Sequence, residues 1–282
     1  MSMTSIMTNH AAMAALQSLN RTNEALAQVQ KRISTGYRVA DAKDDGGAFA
    51  VAQTVRADTA TLNAVNEQLG GTRGLIDISL TSLEQVSKTM IEVRTVLTRL
   101  ADGTLNDESR NQYNQQYAQL RTQIANFLAD ANYNGRNMIT GVSPTDDIIM
   151  MRSESAASTD LYTLPALGPD TNFLVAVGPF TTAAAAQAAL TPTSGDFDTI
   201  NMAINDAMNR LGADARYVDA QINYNFDKID SMEGSLGALI DANLAKESAR
   251  LQALQIRQQL GTQTLSTANL SPQYLMQLLG RR

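Results

Sequence analysis

The chain has 282 residues, of which 44% are hydrophobic and only 5% aromatic, with no Trp, no Cys and a formal net charge of -6. The missing Cys excludes a disulfide and a thiol nucleophile, and a net negative charge without clustered Lys and Arg argues against nucleic acid as a partner. The low aromatic content favours slender helical packing over a thick globular core.

Apolar stripes at heptad spacing lie near both ends of the chain. They comprise Leu19, Leu26, Val29 and Ile33 at one end and Leu244, Leu251, Leu254 and Leu265 at the other. A stripe of this kind needs a partner helix to cover it. Because neither end can bury its stripe alone, the pattern predicts self-assembly rather than catalysis.

The first residues show no targeting signal. A basic stretch followed by an apolar run is lacking, so we expect no removable secretory signal. No apolar run approaches the roughly 18 residues of a membrane span, so we expect no membrane insertion. These signals alone predict a cytosolic protein, unless a dedicated export machine reads an unfolded N-terminus.

Helical periodicity predicts two helices in the first half of the chain. The first covers residues 62–100, ends at Asp102-Gly103 and is weakened by three glycines at 70, 71 and 74, where we expect a kink. Its apolar seam comprises Leu83, Val86, Met90, Val93, Leu97 and Leu100. The second begins near Asn106 or Asp107, whose short polar side chains can cap it, and ends in a turn at Asn134-Gly135. One face of it carries Tyr113, Tyr117, Leu120, Ile124 and Phe127.

Residues 142–196 differ from the rest, because five prolines interrupt them. Residues 148–151, 161–164 and 173–177 are predicted as short strands, and the Ala-rich run 183–190 as one or two helical turns. We interpret this segment as a small β-hairpin insertion in a helical rod.

Helical periodicity resumes at Ile204 and continues to Leu236. The second seam includes Leu211, Val218, Ile222 and Ile229. A stripe of two positions in seven is typical of a long coiled-coil bundle, so the predicted fold class is mainly α. Asn225 is polar at a seam position. It either fixes the register of the helices or is merely tolerated beside water.

Catalytic and cofactor sites are largely excluded by residue type. His10 is the single histidine, and no Cys or second His is present to share a metal ion, which argues against a zinc site. A Ser-His-Asp triad would have to use His10. The acidic run 41–47 superficially resembles a calcium loop, but Lys43 occupies a ligand position and Ala52 stands where the bidentate Glu belongs. The glycines fit no phosphate or dinucleotide pattern. Asp146-Asp147 is best interpreted as a solvated turn. We therefore predict no catalytic, metal or cofactor residues and no enzyme.

Motifs at both ends resemble those of bacterial flagellins. The opening carries IMTN at residues 6–9, RISTGYRV at 32–39 and AKDD at 42–45, and the ending carries LSTANLSPQYLMQLL at 265–279. The resemblance covers residues 1–141 and 197–282, with Leu270 standing where the family usually has Gln.

The resemblance implies an inner tube domain of residues 1–44 with 242–282 and an outer helical domain of residues 45–241, with 142–196 as its hairpin insertion. The subunits would polymerise into the flagellar filament for swimming motility. The expected filament core interface comprises Leu16, Leu19, Leu26, Val29, Ile33, Leu244, Leu251, Leu254, Leu265, Leu275, Leu278 and Leu279. A hook-filament junction protein and a non-flagellar coiled-coil scaffold are the alternatives. The junction protein is disfavoured because residues 42–46 lack its proline-flanked turn.

The resemblance also implies partners and a location. We expect an extracellular homopolymer, exported without a cleaved signal peptide through the flagellar export apparatus. A cytosolic chaperone would cover the C-terminal leucines, and hook-associated proteins, cap proteins and other flagellin isoforms are further expected partners. A Toll-like receptor recognises a Gln-Arg-Val-Arg-Glu-Leu pattern in several flagellins. Here Arg94 is kept, but Glu92 and Thr95 replace an arginine and an acid, which predicts weak or absent activation.

Overall fold

The computed structural model describes residues 9–155, 160–167, 179–192 and 195–279, with the side chains of residues 271–279 left out. Its elements in chain order are α1 (His10–Thr35), α2 (Gly46–Leu100), α3 (Asp107–Asp130), β1 (Ile148–Met151), β2 (Leu161–Leu164), α4 (Ala183–Ala189), α5 (Asp196–Ile240) and α6 (Leu244–Leu279). The prediction of a mainly α protein with a small hairpin is confirmed. No helix within the described ranges is long and apolar enough to cross a membrane.

Polar side chains and glycine set the helix ends. The Asn9 side chain accepts a hydrogen bond from the Ala12 amide at 3.0 Å and caps α1. Gly36 ends α1 at φ 74°, a left-handed conformation that glycine adopts without a Cβ clash. Of the two caps predicted for α3, Asn106 and Asp107, the structure selects Asn106, which accepts from the Ser109 amide at 2.8 Å.

The predicted helix limits need two corrections. α2 begins at Gly46 rather than near residue 62, because Asp45 accepts from the Ala48 amide at 3.1 Å and small residues continue the helix without a strong apolar period. It continues through the three glycines as one helix. α3 ends at Asp130, before the predicted Asn134-Gly135 turn. That turn is present, with φ of 50° and 78° at the two residues, but it follows a separate short connection.

The hairpin insertion contains the first two predicted strands, paired antiparallel with Ile148 opposite Leu164. Met150 and Leu164 are buried in the core, whereas Ile149 on the other face is exposed. The Tyr162 hydroxyl donates to Asp214 of α5 at 2.7 Å. Burial, followed by this carboxylate, raises the pKa of Tyr162 to about 12. The predicted third strand, residues 173–177, lies outside the described residues, and the Ala-rich run forms α4.

The chain packs as two compact units: a terminal unit of residues 1–57 and 231–282, and a central unit of residues 58–230. The core of the central unit is formed by α2, α3, the hairpin, α4 and α5. Nine of the ten residues predicted for the two seams are buried, and Ile222 is half-buried against them. The predicted boundaries of an inner tube domain at residues 44 and 242 remain a prediction, because contacts between subunits define that domain.

Candidate assembly surface

The terminal unit is built on an antiparallel pair of helices, α1 and α6. Asn9 donates to the Ala268 carbonyl at 2.8 Å, Gln258 donates to the Asn23 side chain at 2.8 Å, and Arg32 pairs with Glu247 at 3.3 Å. A Cβ added at Gly261 would lie 3.2 Å from Leu19 Cδ1, so the helices also approach closely there. The residue numbers rise along one helix as they fall along the other, which establishes the antiparallel direction.

Few large side chains are buried between these two helices. Among the predicted interface residues, Val29 is 2% exposed and Leu254 7%. The half-buried ones are Leu19, Leu26, Ile33, Leu251 and Leu265, and Leu16 and Leu244 are exposed. Leu275, Leu278 and Leu279 lie outside the residues whose side chains are described. The pair therefore leaves most of its apolar stripes partly in water.

The exposed apolar residues of α6 include three that the heptad pattern does not predict. Ile256 is 58% exposed, Leu260 56% and Leu270 41%. At 3.6 residues per turn, they lie on the face opposite Leu254 and Gly261. On α1, Met13 is 63% exposed, close along the helix to Leu16. A search for a second apolar face, rather than one heptad line, would have found the α6 set. Both faces of α6 thus carry apolar side chains, and only one faces α1.

A charged pair inside the helix contact was also missed. Glu247 is 7% exposed, and its Oε1 lies 3.3 Å from Arg32 Nη1. Arg32 Nε and Glu247 Oε2 are buried without a hydrogen-bond partner within the described part of the chain. The sequence contains a signal for this pair. Arg32 lies beside the apolar stripe of α1 and Glu247 beside that of α6, at the helix ends that meet when the two helices run antiparallel. Removing one partner leaves the other charge uncompensated.

Beside α1, a short set of backbone hydrogen bonds joins two segments of the terminal unit. The Arg38 and Val39 amides donate to the Ile240 carbonyl at 2.7 and 3.2 Å, and the Ala242 amide donates to the Gly36 carbonyl at 2.9 Å. Val39 and Ile240 are buried together with Ala52 in a small cluster. This pairing joins the segment after α1 to the connection between α5 and α6.

The acidic turn before α2 is organised by a lysine. Lys31 Nζ lies 2.7 Å from Asp41 Oδ2 and 2.8 Å from Asp44 Oδ2. These bonds lower the pKa of both carboxyls, and they raise the pKa of the lysine. No group of three or more side chains suited to a metal ion occurs among the residues that the structure describes. The positive charge that neutralises the two carboxylates is therefore the Lys31 ammonium group.

Replacing Lys31 by Met should destabilise the turn at neutral pH, with an effect that fades in acid. Carboxyls with a lowered folded-state pKa add stability above their ordinary value of 3.8, and that stability disappears as the pH falls through the folded pKa. The measurement is denaturant unfolding of Lys31→Met and the unaltered chain from pH 7 to pH 2.5. Lys43→Met is the matched control, and an equal loss for Lys31→Met at both pH limits would contradict this origin.

The three residues that align with the receptor motif all lie on α2. Glu92, Arg94 and Thr95 are exposed. The Arg94 guanidinium lies 5.9 Å from the Phe197 ring centroid, and the Thr95 hydroxyl donates to the Ile91 carbonyl at 3.1 Å. The altered charges are therefore on the surface, where an approaching protein would meet them.

Comparison with known proteins gives consistent matches along the chain. Residues 6–143 match the family model of the bacterial flagellin N-terminal helical region, and residues 196–279 match that of the bacterial flagellin C-terminal helical region. Flagellin FljM of Caulobacter vibrioides is 35% identical, covering 99% of each chain. A flagellin of Brucella melitensis is 32% identical, covering 98% of this chain and 99% of its own. A crystal structure of Bacillus cereus flagellin has a TM-score of 0.49 and 22% identity, covering 56% of this chain and 88% of the other.

Proposed function

This chain belongs to the bacterial flagellin family, and from that premise we propose that the apolar faces of α1 and α6 form the core interface between subunits. The protein is a structural subunit of the flagellar filament. The observation that carries the proposal is the exposure of Ile256 and Leu260 on the face of α6 that points away from α1. Monomeric surfaces seldom carry such apolar faces without a partner.

The exposed apolar side chains of this surface provide a driving force for polymerisation. Burying a large aliphatic side chain contributes about 1.5–3 kcal/mol. Leu16 and Leu244 from the predicted set, with Met13, Ile256, Leu260 and Leu270, are all more than 40% exposed. The ordering of helices and side chains opposes this gain. Several such side chains, repeated at every subunit contact, still leave a net driving force.

Folding of the two ends is proposed to be coupled to polymerisation. Val29 and Leu254 are the large predicted interface residues that the α1 and α6 pair buries among the described side chains. An isolated helix gains little stability from propensity alone, and most of its stability comes from packing. The pair should therefore be marginal in the monomer and stable in the polymer.

Deleting residues 1–30 tests this function. The shortened chain should stay soluble and partly helical, because the core of the central unit is retained, but it should not polymerise. Sedimentation and electron microscopy of purified protein measure filament formation, and circular dichroism measures helix content. The full chain under the same conditions is the control. Normal filaments from the shortened chain would contradict an interface on α1.

The wider partners are proposed on the family resemblance. They are the flagellar export apparatus, hook-associated and cap proteins, other flagellin isoforms, and a cytosolic chaperone that covers the C-terminal apolar side chains before export. A family of structural proteins supports a structural rather than a catalytic role. Because Glu92 and Thr95 are exposed in place of the motif's arginine and acid, we retain the prediction of a weak Toll-like receptor response.

A further inference from the structure

A buried amide network crosses the two long helices of the central unit. Asn225 on α5 is 0% exposed, and its Nδ2 donates to Asn66 Oδ1 on α2 at 2.8 Å. Gln221 Nε2 donates both to Asn225 Oδ1 and to the Arg152 carbonyl, each at 3.0 Å. The network therefore joins α2, α5 and the residue that follows β1. The burial of Asn225 excludes the alternative of an asparagine merely tolerated beside water.

The side chains around this network are aliphatic and can pack in more than one register. Leu62 and Leu69, about one helical turn on either side of Asn66, are each 0% exposed. Slipping α2 along α5 by one turn would place Asn225 opposite one of these leucines and leave its Nδ2 without the Asn66 acceptor. An unpaired buried amide disfavours that register by roughly ten- to a hundredfold. Aliphatic side chains discriminate between registers far less, because their packing has no direction.

Other polar groups near α2 do not supply the same restraint. The hydroxyls of Ser79 and Thr72 donate to the carbonyls of Leu75 and Gln68 in their own helix. Because donor and acceptor belong to the same helix, these bonds are kept when the helix shifts and do not fix its position relative to α5. Arg73 does reach Asp219 of α5 at 2.9 Å, but the Asp219 side chain is 50% exposed, and an exposed ion pair contributes little.

We propose that Asn66 and Asn225 are positioning residues that hold α2 and α5 in one register, and that Gln221 extends this restraint to the hairpin insertion. The proposal deepens the filament function and rests on it, because a regular helical polymer requires identical subunits. The buried Asn66 Nδ2 has no partner within the described residues. An amide left incompletely satisfied in this way is consistent with a group that gives specificity at a cost in stability.

The experiment measures the register directly in the monomer. The chain contains no Cys, so Ala64→Cys and Asn209→Cys, both at exposed positions, can carry two spin labels for pulsed electron resonance. The otherwise unaltered chain should give one narrow distance distribution. Asn66→Leu with Asn225→Leu should add a second population displaced by roughly 5 Å, the rise of one helical turn.

The matched control is Leu69→Ile with Ile222→Leu, which alters the same seam and keeps the amides; it should give one distance. If the leucine pair folds poorly by circular dichroism, Asn66→Val with Asn225→Val is measured in its place. A single unshifted distance in the apolar variant would overturn the proposal. The labels measure the helix register in the monomer, so the result does not depend on polymerisation. A variant that fails to polymerise would test the proposed filament interface and not the register.

Discussion

Replacing Ile256 and Leu260 together by Asp should prevent filament growth while leaving the monomer folded. Both side chains are more than half exposed in the single chain, so the substitutions remove little packing from it. In the filament, the lost burial amounts to about 2–3.5 kcal/mol for two aliphatic residues that are a little more than half exposed in the single chain, and unpaired carboxylates add a desolvation cost. We expect the critical concentration for polymerisation to rise by at least ~100-fold. Sedimentation over a concentration series measures it.

Two controls separate the apolar surface from a general effect on α6. Ile256→Val with Leu260→Ile keeps both side chains aliphatic and should polymerise near the normal concentration. Gln255→Asp adds a charge beside the proposed surface and should have a smaller effect. If the double aspartate variant formed filaments at the unaltered chain's concentration, this face of α6 would not be a subunit interface.

Replacing Glu247 by Ala should produce the largest effect of a single substitution in the terminal unit. Arg32, whose side chain is only 19% exposed, would then keep its charge without an opposite partner. Breaking a buried pair typically costs about 3–5 kcal/mol, and the partial exposure of Arg32 favours the lower end. Hydrogen exchange of the α6 amides in the monomer should accelerate until their protection is lost, by at most roughly a hundredfold because the pair is marginal there, since 1.4 kcal/mol corresponds to a factor of ten.

The double variant Arg32→Leu with Glu247→Leu tests whether the unpaired charge causes the loss of protection. It removes both charges and fills the contact with apolar side chains, an exchange that is often neutral or stabilising. It should therefore recover most of the protection lost in Glu247→Ala. If the single and double variants were equally unprotected, side-chain packing rather than the unpaired charge would explain the loss.

Local sequence patterns were sufficient to predict most of the helices and buried seams of the central unit. The seam from Leu83 to Leu100 repeats every three or four residues and is buried, because such a repeat places side chains on one face of any helix. The cap of α3 was predicted at Asn106 or Asp107 from their short polar side chains, which is also a local property. The sequence does not predict the start of α2, because residues 46–61 carry few large apolar side chains and no regular apolar repeat. This part of the helix is set by the Asp45 cap and by packing around Ala52.

The assembly surface was only partly predictable. The heptad pattern predicts an interface that includes Leu16 and Leu244, which are exposed, along with Val29 and Leu254, which are buried between the helices. The pattern could not distinguish the exposed residues from the buried ones, because an apolar stripe does not indicate which of its residues contact a helix of the same chain. It also missed Ile256 and Leu260, which follow a second line on the same helix.

The sequence by itself determined that the protein is mainly helical, that both ends carry apolar stripes and that its motifs resemble those of flagellins, because these properties depend on residues close together in the chain. Only the tertiary structure decided which positions meet. Arg32 and Glu247 are 215 residues apart, and Asn66 and Asn225 are 159 apart. Helical periodicity defines the face of a side chain but not the direction or register of the helix that covers it, and packing of the whole chain selects both.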